Sequence, residues 1–288
     1  MKRLYIIAGE ASGDLHGGNL VRELFKVSGN RLEVRAWGGD RMAAAGAEVV
    51  KHYRELAFMG FTQVVMNLRT ILRNLENCKK DIEAFKPDAL ILIDYPGFNL
   101  RIAEWAHAQG IPVHYYISPQ VWAWRKGRVR TIKRVVDRMY VILPFEEEWY
   151  AKHGYEVEFV GHPLLDAIEQ EGRAPLEPLP GADDRPVVAL LPGSRHQEIA
   201  RMLPLMAQVA RRYPGYRFVL AAAPSVPDTV YVEGIKGSPI DVVKGRTYDL
   251  LRHAHGALVT SDTATLETAL FGVPEVVCYS GRDRKSVV

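Results

Sequence analysis

Short apolar runs at 4–8, 89–93, 113–117 and 139–143 recur along the first half of the chain, separated by segments of helical period. A run of about five apolar residues with no polar alternation reads as a strand buried on both faces. A helix between successive runs is the crossover that parallel strands need. The chain is therefore expected to be α/β, with doubly wound parallel sheets. Between 171 and 186 the pattern breaks, with Pro175, Pro178, Pro180 and Pro186 among several charges. It resumes in runs at 187–191, 218–222, 240–243, 257–260 and 276–279. The expected architecture is two Rossmann-like domains, 1–172 and 187–288, joined by a linker at 173–186 and facing a cleft. No helical pattern follows the last run before Val288, so the second domain is expected to be truncated.

Composition removes several classes. No segment approaches the ~18 consecutive apolar residues that span a bilayer. Met1-Lys2-Arg3 runs straight into a strand-like segment, which leaves no room for a secretory signal. Cys78 and Cys278, the two cysteines, are too far apart in sequence to suggest a disulfide framework, so a reducing, cytoplasmic setting is expected. The net charge of +3 is mild but unevenly placed.

Candidate chemistry lies at strand ends. After the first run comes Gly9-Glu10-Ala11-Ser12-Gly13-Asp14-Leu15-His16-Gly17-Gly18. It is neither G-x-G-x-x-G nor a Walker sequence, so a dinucleotide or P-loop site is not supported. Ser12, Asp14 and His16 could orient sugar hydroxyls, or Ser12 or Asp14 could cap a helix. Asp94 ends the apolar run 89–93, where a carboxylate faces the crevice and apolar surroundings raise its pKa, as a general base requires. The alternative is a cap for a helix starting near Asn99. Ser118, Trp122, Trp124 and Arg125 follow the third run, and the aromatic faces suit a sugar, an acyl chain or plain packing. His162 stands shortly before the expected linker, as a ligand contact or part of a hinge.

In the second half, the run 190–198 carries Gly193, Ser194, Arg195 and Glu198 between a strand and a helix whose apolar face is Ile199, Met202, Leu203, Met206 and Val209. Bare backbone amides at that helix start, with the Arg195 guanidinium, suit phosphate oxygens. Ser261 and Thr263 occupy a second strand-to-helix turn of the same kind. Glu267, one helical turn on, could accept from two ribose hydroxyls.

Two basic clusters remain. Phe61, Val64, Val65, Leu68, Leu72 and Leu75 recur at helical spacing, with Met59 and Met66 nearby and Arg69, Arg73, Lys79 and Lys80 around them. Such a helix packs on a sheet or dips into an anionic membrane surface. Residues 125–138 hold seven Lys or Arg against one Asp, suiting phosphate, lipid head groups, nucleic acid or a solvated face.

Taken in order, these motifs resemble the lipid-A-disaccharide synthase family. The resemblance rests on Ala8 through Asp14, Met59-Gly60, Ile93-Asp94 with Phe98-Asn99, and Ser118-Pro119 with Val121 through Arg125. It continues through Leu143 to Glu146, Gly161-His162, Leu190 to Arg195, and Thr263-Ala264 with Leu266-Glu267. It implies a glycosyltransferase fold of the GT-B type. The implied reaction moves 2,3-diacylglucosamine from UDP-2,3-diacylglucosamine to the 6-hydroxyl of 2,3-diacylglucosamine 1-phosphate. Inversion would give a β-1,6-linked disaccharide and UDP.

The resemblance makes Asp94 the base. Ser12, Gly13, Asp14, His16, Asn99, Ser118, Trp122, Arg125 and His162 would line the substrate. Gly193, Ser194, Arg195, Glu198, Ser261, Thr263 and Glu267 would hold UDP. Met59, Phe61, Val65, Met66, Arg69 and Arg73 would meet the cytoplasmic face of the inner membrane. No cofactor, no metal and no nucleic acid are implied, and longer members dimerise.

Two departures from the family pattern predict weak activity for the chain as given: Asp262 replaces a glycine, and a C-terminal segment is missing. Competing expectations are a UDP-N-acetylglucosamine 2-epimerase of the same fold, a nucleic-acid-binding protein using residues 125–138, and a non-catalytic lipid-binding remnant.

Overall fold

The computed structural model describes residues 1–56, 68–123, 126–172, 175–181, 184–223, 226–260 and 262–279. By their contacts these fall into two units, Met1–Pro163 and Leu164–Val288.

The first unit is built on a seven-stranded sheet ordered β3-β2-β1-β4-β5-β6-β7, with every pairing parallel. The strands are β1 (Lys2–Ala8), β2 (Leu32–Gly38), β3 (Glu48–His52), β4 (Ala89–Ile93), β5 (Val113–Tyr116), β6 (Arg138–Val141) and β7 (Glu158–Phe159). The helices are α1 (Ala11–Ser28), α2 (Asp40–Ala44), α3 (Leu68–Phe85), α4 (Pro96–Ala108), α5 (Arg128–Val135) and α6 (Phe145–Ala151). Strand alternation sends Tyr5 and Ile7 into one apolar layer with Ile82, Ile102 and Ile132. Ile6 and Ala8 enter the opposite layer with Val21 of α1 and Met42 of α2. Both faces of β1 are covered from Tyr5 on, which is why its sequence is continuously apolar from Leu4 to Ala8.

The second unit repeats the plan with five parallel strands ordered β10-β9-β8-β11-β12. These are β8 (Val187–Leu191), β9 (Arg217–Ala222), β10 (Ile240–Lys244), β11 (Gly256–Val259) and β12 (Glu275–Val277). Its helices are α7 (Pro163–Gly172), which begins at the boundary, α8 (His196–Arg212), α9 (Asp228–Ile235), α10 (Thr247–His253) and α11 (Asp262–Leu270). Leu190 packs with Ile199, Leu203 and Met206 of α8. Ala189 and Leu191 face the other layer with Leu250 and Leu251 of α10.

All nine apolar runs are strands, shifted by a residue or two at their ends. Three further strands had no such signal. β2 carries Glu33 and Arg35, which pair with Arg3 and with Glu48 and Asp81. β3 and β7 are edge strands with exposed polar positions. Such strands lack the second apolar face that makes a buried run visible.

The division between units also falls earlier than the prolines suggested. Pro178 and Glu177 offer their carbonyls to Arg246, and Arg185 donates to the carbonyl of Pro214 at 2.8 Å. Leu179 packs on the second apolar core. The proline-rich segment is thus strapped to the second unit. Prolines mark where regular structure stops, not where packing partners change.

Candidate functional site

In a doubly wound sheet the crevice opens where strand order reverses, outside the carboxyl ends of the two central strands. In the first unit those strands are β1 and β4, whose last residues Ala8 and Ile93 are register partners. Beyond them stand Gly9 and Glu10 on one side, Asp94 and Tyr95 on the other. Gly9 has to be glycine, because a Cβ there would enter the Tyr95 ring.

Asp94 and Tyr95 both adopt left-handed backbone conformations, with φ of 43° and 49°. Each costs about 1–2 kcal/mol for a residue with a Cβ. Such strain persists only where the surroundings over-determine it, and it clusters at functional sites. The Asp94 N–H donates to the Tyr116 carbonyl at 3.2 Å. Its carbonyl accepts from the Asn99 carboxamide at 2.7 Å and from the Tyr115 hydroxyl at 2.5 Å. Helix α4 starts at Pro96 with Tyr95 as its N-cap and no side-chain cap, so Asp94 is not the cap that the sequence left open. Burial, reinforced by the negative charge of Glu10, pushes the Asp94 carboxyl up to about 6. A half-buried carboxylate with that pKa is suited to take a proton at neutral pH.

The neighbouring candidates divide. Ser12 is exposed in the first turn of α1, and Gly13 is buried against Ala8. The Asp14 oxygens accept from the amides of Gly39 (2.7 Å), Arg41 (3.1 Å) and Met42 (3.1 Å). It is only 3% exposed and caps α2. Asn99 is fully buried, and its carboxamide donates to the carbonyls of Ile93 and Asp94.

His16 is buried, and its Nδ1 has no hydrogen-bond partner among the described residues. Burial and the nearby His162 push it down to about 4. Burial also lowers His162. The structure thus brings these two imidazoles together, and both are favoured in the neutral form.

Ser118 is buried, with its hydroxyl 2.7 Å from the Tyr150 hydroxyl and donating to the Pro119 carbonyl. Beside it lies Glu146, 1% exposed, which accepts from the amides of Ile142 and Leu143 and interacts with Ser118 and Trp122. Burial raises the Glu146 carboxyl. The Trp122 ring meets Phe145 edge-on at 4.9 Å. This polar cluster under the Ser118–Trp122 loop organises the loop from below. Trp124 and Arg125 lie outside the described residues.

The second unit has its own reversal point, between β8 and β11, where Leu191 and Val259 are register partners. Gly193 has φ of 104°, and a Cβ there would press on the Glu198 carboxylate. Arg195 is the N-cap of α8, and Ser194 is exposed just before it. The Arg195 guanidinium is paired with Glu198 at 3.0 Å. Across the reversal point, the Thr260 amide donates to the Leu191 carbonyl at 3.1 Å, and Thr263 is exposed in the first turn of α11. Glu267 accepts from the Tyr248 hydroxyl at 2.8 Å, and burial raises its pKa. The fold thus carries Gly193, Ser194, Arg195, Thr263 and Glu267 on elements that follow two adjacent strands. Ser261 lies outside the described residues, and Asp262 opens α11.

Of the membrane candidates, Met59, Phe61, Val65 and Met66 lie outside the described residues. Arg69 and Arg73 are exposed on α3, whereas Leu75, Cys78, Ile82 and Phe85 of that helix are buried in the core. The described part of α3 therefore packs on the sheet. In the other basic cluster, Arg134 pairs with Glu104, Arg138 with Glu158, and Lys133 donates to the His153 carbonyl. Those charges are spent within the fold.

Among the described residues, no group of three or more His, Cys, Asp or Glu is placed to hold a metal, and no helix is long and apolar enough to cross a membrane. Sequence reasoning missed Tyr115 and Tyr150 as members of the site, since both sit in apolar surroundings where a tyrosine reads as core. Glu10 was visible only as part of its glycine-rich run.

A family model described as lipid-A-disaccharide synthetase matches residues 4–283. The lipid-A-disaccharide synthase of Syntrophus aciditrophicus is 45% identical over 287 residues, covering 96% of this chain and 75% of that protein. The one from Geobacter metallireducens is 44% identical, covering 97% and 74%. The chain thus spans about three quarters of the length of these relatives. Among solved structures, UDP-GlcNAc 2-epimerase from Neisseria meningitidis bound to UDP-GlcNAc superposes with a TM-score of 0.68 at 15% identity, covering 96% of this chain and 82% of that one. The glycotransferase of kitacinnamycin gives 0.64 at 16% identity, covering 98% and 82%. At such identities the likeness is one of fold, that of the GT-B type.

Proposed function

The chain belongs to the lipid-A-disaccharide synthetase family, and from that premise we propose that it transfers 2,3-diacylglucosamine from UDP-2,3-diacylglucosamine to the 6-hydroxyl of 2,3-diacylglucosamine 1-phosphate. It is a glycosyltransferase of lipid A biosynthesis; the acyl substrates, the β-1,6 linkage and inversion are our reading. The acceptor oxygen attacks the anomeric carbon as the bond to the diphosphate breaks. The electron pair leaves with UDP, and the hydroxyl proton passes to Asp94.

The observation that carries this reading is Asp94 itself, a strained, half-buried carboxyl at the reversal point with a pKa of about 6. It is ionised at neutral pH and still basic enough to share a proton in the transition state. In the second unit, the turn at Gly193 and Ser194 and the start of α8 supply amides and dipole for the charge that grows on the departing diphosphate. Arg195 exchanges Glu198 for a phosphate oxygen, and Glu267 takes the ribose hydroxyls. The nucleotide sugar is a substrate, and the step as written draws on no cofactor or metal.

Both substrates carry acyl chains that stay in a lipid surface. We therefore place the protein peripherally at the cytoplasmic face of the inner membrane, with Arg69 and Arg73 toward anionic head groups. The test supplies both lipids in detergent micelles. UDP and a β-linked disaccharide should appear in equal amounts. UDP release without disaccharide, or epimerisation of the donor without acceptor, would refute the proposal.

A further inference from the structure

We propose that Tyr115 and Asn99 are positioning residues, clamping the Asp94 carbonyl so that this aspartate stays in its left-handed conformation and its carboxyl keeps its aim. The proposal rests on the reading of Asp94 as the base. Two donors from different elements converge on one oxygen: the hydroxyl of Tyr115 on β5 at 2.5 Å and the carboxamide of Asn99 on α4 at 2.7 Å. The amide of Asp94 is held by the carbonyl of Tyr116. Both clamping side chains are fully buried. Phenylalanine would fill the place of Tyr115 in the apolar layer equally well, so its hydroxyl is explained by the carbonyl it meets.

Without the clamp, two successive left-handed residues with Cβ atoms lose both side-chain donors that hold the Asp94 carbonyl, and the backbone bonds that remain have to carry the strain alone. Relaxing φ at Asp94 turns its side chain away from its present direction. The groups that face this carboxyl are Glu10 just before α1, the backbone amide of Tyr95, which donates to it, and Tyr115 on β5. Burial raises the Tyr115 hydroxyl well above its usual range, so it is neutral throughout. Tyr115→Phe therefore changes geometry without changing charge.

The experiment compares wild type, Tyr115→Phe and Asn99→Ala by turnover per folded protein, acceptor KM, and carboxyl carbon NMR titration of Asp94 in the free chain. Turnover should fall about tenfold to a hundredfold with KM nearly unchanged, as expected for a misplaced catalytic group. The Asp94 midpoint should drop from about 6 toward the value of an exposed aspartate as the carboxyl turns to water. A loss of folded protein alone, with turnover and midpoint kept in what remains, would overturn the clamp. The titration reads the clamp even if Asp94 proves not to be the base, because it needs no turnover. An unmoved midpoint in both variants refutes the proposal on its own.

Discussion

The folded chain keeps the Asp94 proton up to a pH of about 6, whereas an unfolded aspartate releases it near 3.8. Between those values the folded state binds more protons than the unfolded state, so stability falls as pH rises through the window. At about 1.4 kcal/mol per unit, the cost approaches ~3 kcal/mol above pH 6. Asparagine imitates the protonated acid. Asp94→Asn should therefore be up to about 3 kcal/mol more stable than wild type at pH 8, and equal to it below pH 4. Urea unfolding at the two pH values checks this, and equal stability at pH 8 would speak against a buried charge. The position of Asp94 at the reversal point could be read from sequence because it ends an apolar run, and the end of a parallel strand is where a crevice opens. The role of Asp14 could not be found that way. Its partners are Arg41 and Met42 of a different helix and Gly39, the N-cap before it, and only the tertiary fold brings their amides to it. The same holds for Asn99, whose partners become visible only once α4 sits on β4.

The glycines of helix α1, read from sequence as part of a ligand loop, also have a packing role: Gly17 faces the Met42 sulfur and Ile93, and Gly18 faces the backbone of Arg41. They let α1 lie close against α2 and the sheet. Gly18→Ala sets two effects against each other. Alanine gains roughly 1 kcal/mol in helix propensity, but its Cβ would sit 2.9 Å from the Arg41 carbonyl oxygen, which is backbone and yields little. Overpacking of this kind costs about 1–3 kcal/mol, so net destabilisation is expected. Gly97, with open space around it, serves as the control, and alanine there should be neutral or slightly stabilising. Thermal unfolding of the two variants separates the cases; a Gly18→Ala protein as stable as wild type would mean that α1 and α2 are not in close contact. Strands announced themselves where both faces are buried, and β2, β3 and β7 did not because one face or an edge meets water.

Each unit of the molecule solves the same problem in the same way. A parallel sheet reverses its strand order once, at β1 and β4 or at β8 and β11, and the candidate site residues lie on the loops beyond those strands. The repeated plan explains why the fold class was readable from apolar runs alone. The division after Pro163 was not, because it depends on which core Leu179 and Arg185 join and not on where prolines cluster. The proposed chemistry assigns the base to the first unit and the nucleotide to the second, so the two roles can be broken separately. Turnover of Asp94→Asn, measured with both lipid substrates alongside calorimetric UDP binding, tests that assignment most directly. Loss of a general base predicts a fall of about 10²–10⁴-fold in transfer with the UDP dissociation constant unchanged. Transfer at the wild-type rate by the asparagine variant would contradict it.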